Sequence, residues 1–257
     1  MSDGRGPVRS APMLDAARRR VRQAARDPGW ALRAANTRMQ WQRWLGWEPP
    51  EFRALARDVL SDIEGWRFRQ DLALLYLLAR DVPGPGVTVE IGSFKGLAST
   101  ALAFGVRHGD HEPVHTVDPH TGDRQDLEAK GAAELPSADA FRHNIDRAGV
   151  ANEVVSYTMT SDALAAQWSA GAVRVLFVDG WHSYDAVSSD LRNWAPLLTP
   201  DGVVLIDDYA NYPDVRRAVQ DNAGLLPAQQ RPAGRMWLAH ARPLSQPLQR
   251  FLRIPWG

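Results

Sequence analysis

The segment VRVLFVDGWHSYD, residues 173–185, runs an apolar stretch into Asp179 and sets Trp181, His182, Tyr184 and Asp185 within the next six positions. A second segment, GVVLIDDY at 202–209, ends another apolar stretch on Asp207 and Asp208. If the two stretches are adjacent strands, three carboxylates converge although 28 residues separate Asp179 from Asp207. Carboxylates so placed repel one another and shift their pKa values unless a cation neutralises them. Singly, each of these aspartates is more simply a helix cap or the partner of an arginine; as a trio they favour metal. The chain contains no cysteine, so its ligands are oxygen or imidazole, and oxygen ligation predicts Mg²⁺, with Mn²⁺ or Ca²⁺ as alternatives. His182, three residues past Asp179, has the residue type for a general base near neutral pH. Trp181, Tyr184 and Tyr209 are candidates for the wall of an acceptor site.

A third segment, VEIGSFKG at 89–96, places Gly92, Ser93 and Gly96 between a strand and a helix, where backbone N–H groups are free to meet a ligand. A dinucleotide turn requires G-x-G-x-x-G, and Phe94 stands where its second glycine would be. Asp118 ends the next apolar run, VHTVD, where a carboxylate can accept hydrogen bonds from two ribose hydroxyls. NAD and S-adenosylmethionine both carry such a ribose. The glycine spacing and the missing pyrophosphate turn favour S-adenosylmethionine, which has no phosphates. Ser161 and Asp162 open SDALAAQW after a third run, EVVSYT, and Asp162 reads equally well as an N-cap.

These residues need a frame that gathers strand ends. Short runs rich in β-branched residues at 87–91, 114–118, 153–158, 173–179 and 202–209 alternate with helical stretches, and most are apolar throughout rather than alternating. That order predicts an α/β fold with a doubly wound parallel sheet, whose ligands sit at the carboxyl ends of the strands. RMWLAHA at 235–241 reads as a last strand, and RFLRIPW as a tail that docks its apolar residues. Helices are expected over 12–27 and 30–46, with Trp30, Trp41, Trp44 and Trp47 packing on the main domain or on a second subunit. The loop 119–138 reads as a lid or a subunit contact. The division expected is an N-terminal helical extension at 1–64, a domain at 65–242 and a tail at 243–257.

Composition narrows the partners. No run of about 18 apolar residues exists, so no membrane span is expected. Neither is a signal-peptide core seen, and a cytoplasmic location is the reading. Residues 1–60 hold twelve Arg against six Asp and Glu, but the arginines are scattered and no aromatic-studded strands accompany them, so nucleic acid is not the expected partner. The zero net charge argues against a polyanionic acceptor.

VEIGSFKGLASTALA, HTVDPH and VLFVDGWHSYDAVSSDLRNWAPLLTPDGVVLIDDY together resemble the class I S-adenosylmethionine-dependent methyltransferases, and among them the metal-dependent sugar O-methyltransferases of the macrocin and novobiocin type. The resemblance covers about residues 65–240. It implies a Rossmann-like, mostly parallel seven-stranded sheet with helices on both faces. It further implies cofactor contacts from Glu90, Gly92, Ser93, Gly96, Asp118, Ser161 and Asp162, a metal on Asp179, Asp207 and Asp208, and His182 as base, at the offset where catechol-type enzymes carry a lysine. The acceptor implied is a hydroxyl of a sugar, on a polysaccharide mannoside or a glycosylated natural product, handled by a homo-oligomer, most simply a dimer. A catechol-type methyltransferase shares the metal geometry. A metal-dependent hydroxylase ranks lower, since its iron site calls for two histidines and His182 stands alone.

Overall fold

The computed structural model describes residues 48–65, 67–121 and 137–253. The helices expected over 12–27 and 30–46, with their tryptophans, and most of the loop at 119–138 lie outside the described residues.

Seven strands form one sheet: β1 Val87–Ile91, β2 Val114–Val117, β3 Val154–Tyr157, β4 Val173–Val178, β5 Leu198–Ile206, β6 Gln229–Ala233 and β7 Met236–His240. Their order is β3-β2-β1-β4-β5-β7-β6. The first five run parallel, and β7 lies antiparallel to both β5 and β6. The chain winds outward from β1 to β3 and then crosses back to β4, so strand order reverses between β1 and β4, the place where such sheets hold ligands. Every residue of β1, β2 and β4 is buried, which accounts for sequences that are largely apolar on both faces, with Glu90, His115 and Arg174 as buried exceptions. Edge strand β3 is partly exposed.

The helices are α1 Pro50–Asp58, α2 Arg69–Asp81, α3 Leu97–Gly109, α4 Ala138–Arg147, α5 Ser161–Ala165, α6 Tyr184–Trp194, α7 Pro213–Asp221 and α8 Gln246–Leu252. On one face α6 and α7 send Val187, Leu191, Trp194, Val215, Ala218 and Val219 into the core above β4 and β5. On the other, α2 packs against α3 and buries every residue from Asp71 to Ala79. Truncating one of its buried leucines, such as Leu74, to alanine is expected to cost about 2–5 kcal/mol.

Both ends of α2 are pinned, which matters for the site. Arg174 is fully buried in β4, and its guanidinium donates to the carbonyls of Val82 (2.6 Å) and Ala79 (3.0 Å), closing the C-terminal turn. At the other end Asp71 accepts from the Phe68 N–H (3.2 Å) and lies 3.2 Å from Arg235 Nε.

Two elements differ from the reading of the sequence. Strand β6, QQRPA, is polar and contains Pro232; it is tolerated because it forms the outer edge, and those same features hide it from a search for apolar runs. The C-terminal tail includes a helix, α8, whose first turn is capped by Ser245 Oγ accepting from the Leu248 N–H (3.4 Å) and which buries Leu248, Phe251 and Leu252. Among the described residues, no helix is long and apolar enough to cross a membrane.

Candidate active site at the strand-order reversal

A cavity of about 1190 Å³ opens over the carboxyl ends of β1, β2, β4 and β5. At one end the β1–α3 turn forms its wall. Gly92 has φ +87°, and a Cβ there would overlap the carbonyl oxygen of Asp179, so only glycine lets this turn lie against the end of β4. Asp118 is the hub of the turn. Its Oδ2 accepts the N–H groups of Ser93 (2.9 Å) and Phe94 (2.8 Å), and its Oδ1 accepts that of His120 (2.6 Å). A carboxylate offers about four lone-pair sites, so these three bonds leave room for a ligand hydroxyl.

Glu90 and Gly96 sit behind this wall rather than on the cavity surface. Gly96, with φ +86°, opens α3. Glu90 is fully buried, its Oε2 accepts from Ser99 Oγ and its Oε1 has no hydrogen-bond partner. Burial pushes its carboxyl up to about 8 against the lowering effect of the Ser99 bond.

Further along, Ser161 and Asp162 line the cavity but spend their side chains on α6. Ser161 Oγ donates to Asp190, and Asp162 Oδ1 accepts from Ser189 Oγ (2.8 Å) and Asn193 Nδ2 (2.8 Å). The N-cap of α5 is Thr160, whose hydroxyl accepts the Ala163 N–H (3.3 Å), so the capping alternative for Asp162 is corrected. Sequence reasoning missed Asp190, which is buried in the cavity wall and pushed up to about 7 by burial despite its bond from Ser161. A signal existed: Asp190 interrupts the stripe Val187, Leu191, Trp194 that α6 turns to the core.

The acidic end is built by register. Asp179 N–H donates to the Ile91 carbonyl and Asp207 N–H to the Val178 carbonyl, each at 2.9 Å, which sets the ends of β4 and β5 side by side. Asp208 follows in a left-handed conformation, φ +56°, and its carboxylate accepts from Asn211 Nδ2 (2.7 Å) while His182 Nε2 lies 2.8 Å away. The His182 ring stacks on Tyr212, with centroids 4.3 Å apart and planes 12° from parallel. Burial pushes the Asp208 carboxyl up, but His182, Asn211 and Arg235 together outweigh it and hold it at about 2.

Two arginines that the sequence reading did not single out reach this cluster. Arg67 bridges Asp179 and Asp207 through its two terminal nitrogens. Arg235, in the β6–β7 turn, lies 3.0 Å from Asp207 Oδ2 and 3.7 Å from Asp208 Oδ1. Asp207, expected beside Asp179 and Asp208 as a ligand, thus turns Oδ2 to two guanidiniums and leaves Oδ1 buried without a hydrogen-bond partner. The ligand atoms that gather, all within 4.8 Å of one another, belong to Asp179, His182 and Asp208. Two carboxylates and an imidazole, with a third carboxylate oxygen unused nearby, fit a divalent cation such as Mg²⁺ or Mn²⁺.

Trp181 stands at the cavity with half its surface exposed (54%). Tyr184 and Tyr209, expected on the acceptor side, are corrected. Tyr184 donates to Asp221 Oδ2 (3.0 Å) beneath the Arg217 guanidinium, Tyr209 stacks on Trp237 (4.5 Å), and neither lines the cavity. The Tyr184 ring is claimed by packing against α7, and that of Tyr209 by packing against β7. Tyr212 and Asn211 line it instead.

Residues 89–209 match the model of a family described as a methyltransferase domain. Over 157 residues the chain is 31% identical to the 8-demethyl-8-(2,3-dimethoxy-alpha-L-rhamnosyl)-tetracenomycin-C 4'-O-methyltransferase of Streptomyces olivaceus, a match covering 54% of this chain and 59% of that protein. Among solved structures, the O-methyltransferase NovP superposes with a TM-score of 0.60 at 21% identity, covering 68% of this chain and 80% of that one. CalS11, a TDP-rhamnose 3'-O-methyltransferase of calicheamicin biosynthesis, superposes with a TM-score of 0.52 at 18% identity, covering 80% and 94%.

Proposed function

We propose, from the premise that residues 89–209 are a methyltransferase domain on the class I fold, that this chain transfers a methyl group from S-adenosylmethionine to a hydroxyl of a sugar, with residues 65–242 as the catalytic domain. The observation that carries the reading is one cavity with two unlike ends: a glycine turn tied to Asp118 at one, and His182 with three carboxylates at the other. The rhamnosyl-directed relative, of which this chain spans 59%, supports a glycosylated natural product as acceptor ahead of a polysaccharide mannoside.

In this reading a bound S-adenosylmethionine would supply the methyl group, its methionine and ribose portions held at the Asp118 end and the acceptor at the His182 end. The backbone of Gly92 and Ser93 and the remaining lone pair of Asp118 would hold the methionine and ribose portions, and Ser161 and Asp162 would border the adenine. Trp181 offers a ring face to the apolar side of a sugar. His182 donates through Nε2 to Asp208 and takes the hydroxyl proton at its other ring nitrogen, and the charge of Asp208 stabilises the imidazolium that results. Asp179 and Asp208 would hold a divalent ion, with Asp207 beside them, and such an ion lowers the pKa of a hydroxyl it binds. Holding acceptor and cofactor in one cavity would supply the remaining acceleration by proximity.

The test is formation of S-adenosylhomocysteine by the purified chain with S-adenosylmethionine and a panel of rhamnosides, mannosides and catechol, with and without EDTA. Turnover of the glycosides alone is expected. Turnover of catechol alone would move the chain to the catechol-type reading, and failure to bind S-adenosylhomocysteine would sink both.

A further inference from the structure

Arg67 has no role in the chemistry just described, and it comes from outside the residues that match the methyltransferase family. It lies in the short strap between Asp62 and Arg69 that joins two helical segments ahead of β1. Its guanidinium nevertheless bridges the carboxylates of Asp179, at the end of β4, and Asp207, at the end of β5. The Phe177 ring lies 5.2 Å from it, and the side chain is only 7% exposed. The oxygen of Asp179 that it holds belongs to one of the three residues that could together ligate a metal.

The two arginines of the cluster are held differently. Arg235 projects from a hairpin turn hydrogen-bonded into the sheet, and it also engages Asp71 on α2, so it is a fixed counter-ion for Asp207. Arg67 reaches the site from the strap, whose neighbouring ties are the Lys95–Glu64 ion pair at the surface (2.9 Å) and the packing of Gly65 against Leu97. Asp71, Asp179, Asp207 and Asp208 bring four negative charges against the two of the arginines, which leaves the cluster short of neutral even with both guanidiniums in place. Buried carboxylates in that state favour a denser cation.

We propose that Arg67 is a resident counter-cation of the acidic site: it occupies Asp179 and Asp207 until a divalent ion displaces it, so the affinity of the site for metal is set by an exchange of guanidinium for ion. This rests on the reading that Asp179 and Asp208, with Asp207 beside them, bind a divalent cation. When the ion enters, Arg67 leaves Asp179, while Arg235 remains on Asp207.

The exchange is read by calorimetric titration of the metal-free full chain with Mn²⁺ or Mg²⁺, in the wild type, Arg67→Gln and Arg67→Ala. Removing the competitor is expected to tighten binding by about tenfold or more, the scale of a lost partly buried ion pair. In Arg67→Ala, millimolar guanidinium chloride, far below denaturing concentrations, is expected to weaken metal binding competitively and to leave the wild type unchanged. That second measurement separates displacement from a general gain of negative potential. Equal or weaker metal binding in Arg67→Gln, with an unchanged thermal midpoint as the check on folding, overturns the exchange and leaves the metal reading standing. No metal binding in any of the three proteins overturns both.

Discussion

The two ends of the cavity are built on opposite principles. At the Asp118 end a single carboxylate is held by neighbouring backbone: Ser93, Phe94 and His120 all donate to it, and the turn is tied before any ligand arrives. At the His182 end, side chains from four separate places in the chain meet, and unlike charges face one another: Asp179, Asp207 and Asp208 against Arg67 and Arg235, with the imidazole beside Asp208. A backbone-built pocket suits a ligand that is the same in every turnover. A cluster held by opposed charges can change partners, as the proposed site for an ion and an incoming hydroxyl requires.

Gly92 is where the two ends touch, and Gly92→Ala is expected to have the largest effect. The new Cβ would meet the Asp179 carbonyl in a backbone conformation that disfavours any side chain, so a loss of about 3 kcal/mol or more is expected in denaturant unfolding, with cofactor and metal binding lost together. If only one of the two binding activities falls, the ends are less coupled than their contact implies. His182→Ala comes next. It should lower kcat for methyl transfer by about 10²- to 10⁴-fold while S-adenosylhomocysteine binding stays as it was. A parallel loss of cofactor affinity would break the division of labour between the two ends.

How much of this was legible follows the same division. VEIGSFKG and VHTVD are local patterns, and the turn they predict is made by residues near one another in the chain, so Gly92 and Asp118 could be placed from spacing alone. The convergence of Asp179 with Asp207 and Asp208 was legible too, because a parallel sheet brings the ends of neighbouring strands together. Arg67 was not: it meets Asp207 across 140 residues, and nothing in the local sequence EGWRFRQ distinguishes it from the other arginines. Arg235 was hidden for a related reason, since its turn is recognisable only once β6 is, and β6 is a polar edge strand carrying a proline. Tyr184 and Tyr209 were misplaced because spacing puts a residue near a strand end without fixing which way its ring turns.

A smaller effect sharpens the backbone-built end. Asp118→Ala removes the acceptor of three N–H groups and should loosen the turn, weakening S-adenosylhomocysteine binding by about ten- to a hundredfold in calorimetry. Metal affinity at the other end is expected to stay within about twofold, because the residues expected to hold the ion do not touch Asp118. A large fall in metal affinity would mean that the turn supports the acidic cluster from behind.

The smallest effect comes from Glu90 and tests whether that end is held neutral. Its carboxyl is fully buried and raised from 4.5 to about 8, so the folded state retains a proton that the unfolded chain releases at lower pH. The stability this contributes is fully present below the unfolded pKa and is lost as pH rises through the folded value, because the unfolded state gives up its proton first. Glu90→Gln cannot ionise, so this pH-dependent loss disappears in the variant. The thermal midpoint of Glu90→Gln relative to wild type should therefore rise between pH 5 and pH 9, by about a few degrees. Groups such as Asp190 titrate in both proteins and cancel in the difference. A pH-independent difference would mean that Glu90 is already ionised when folded, with a cation near Oε1, and the turn end would then rest on opposed charges as its opposite does.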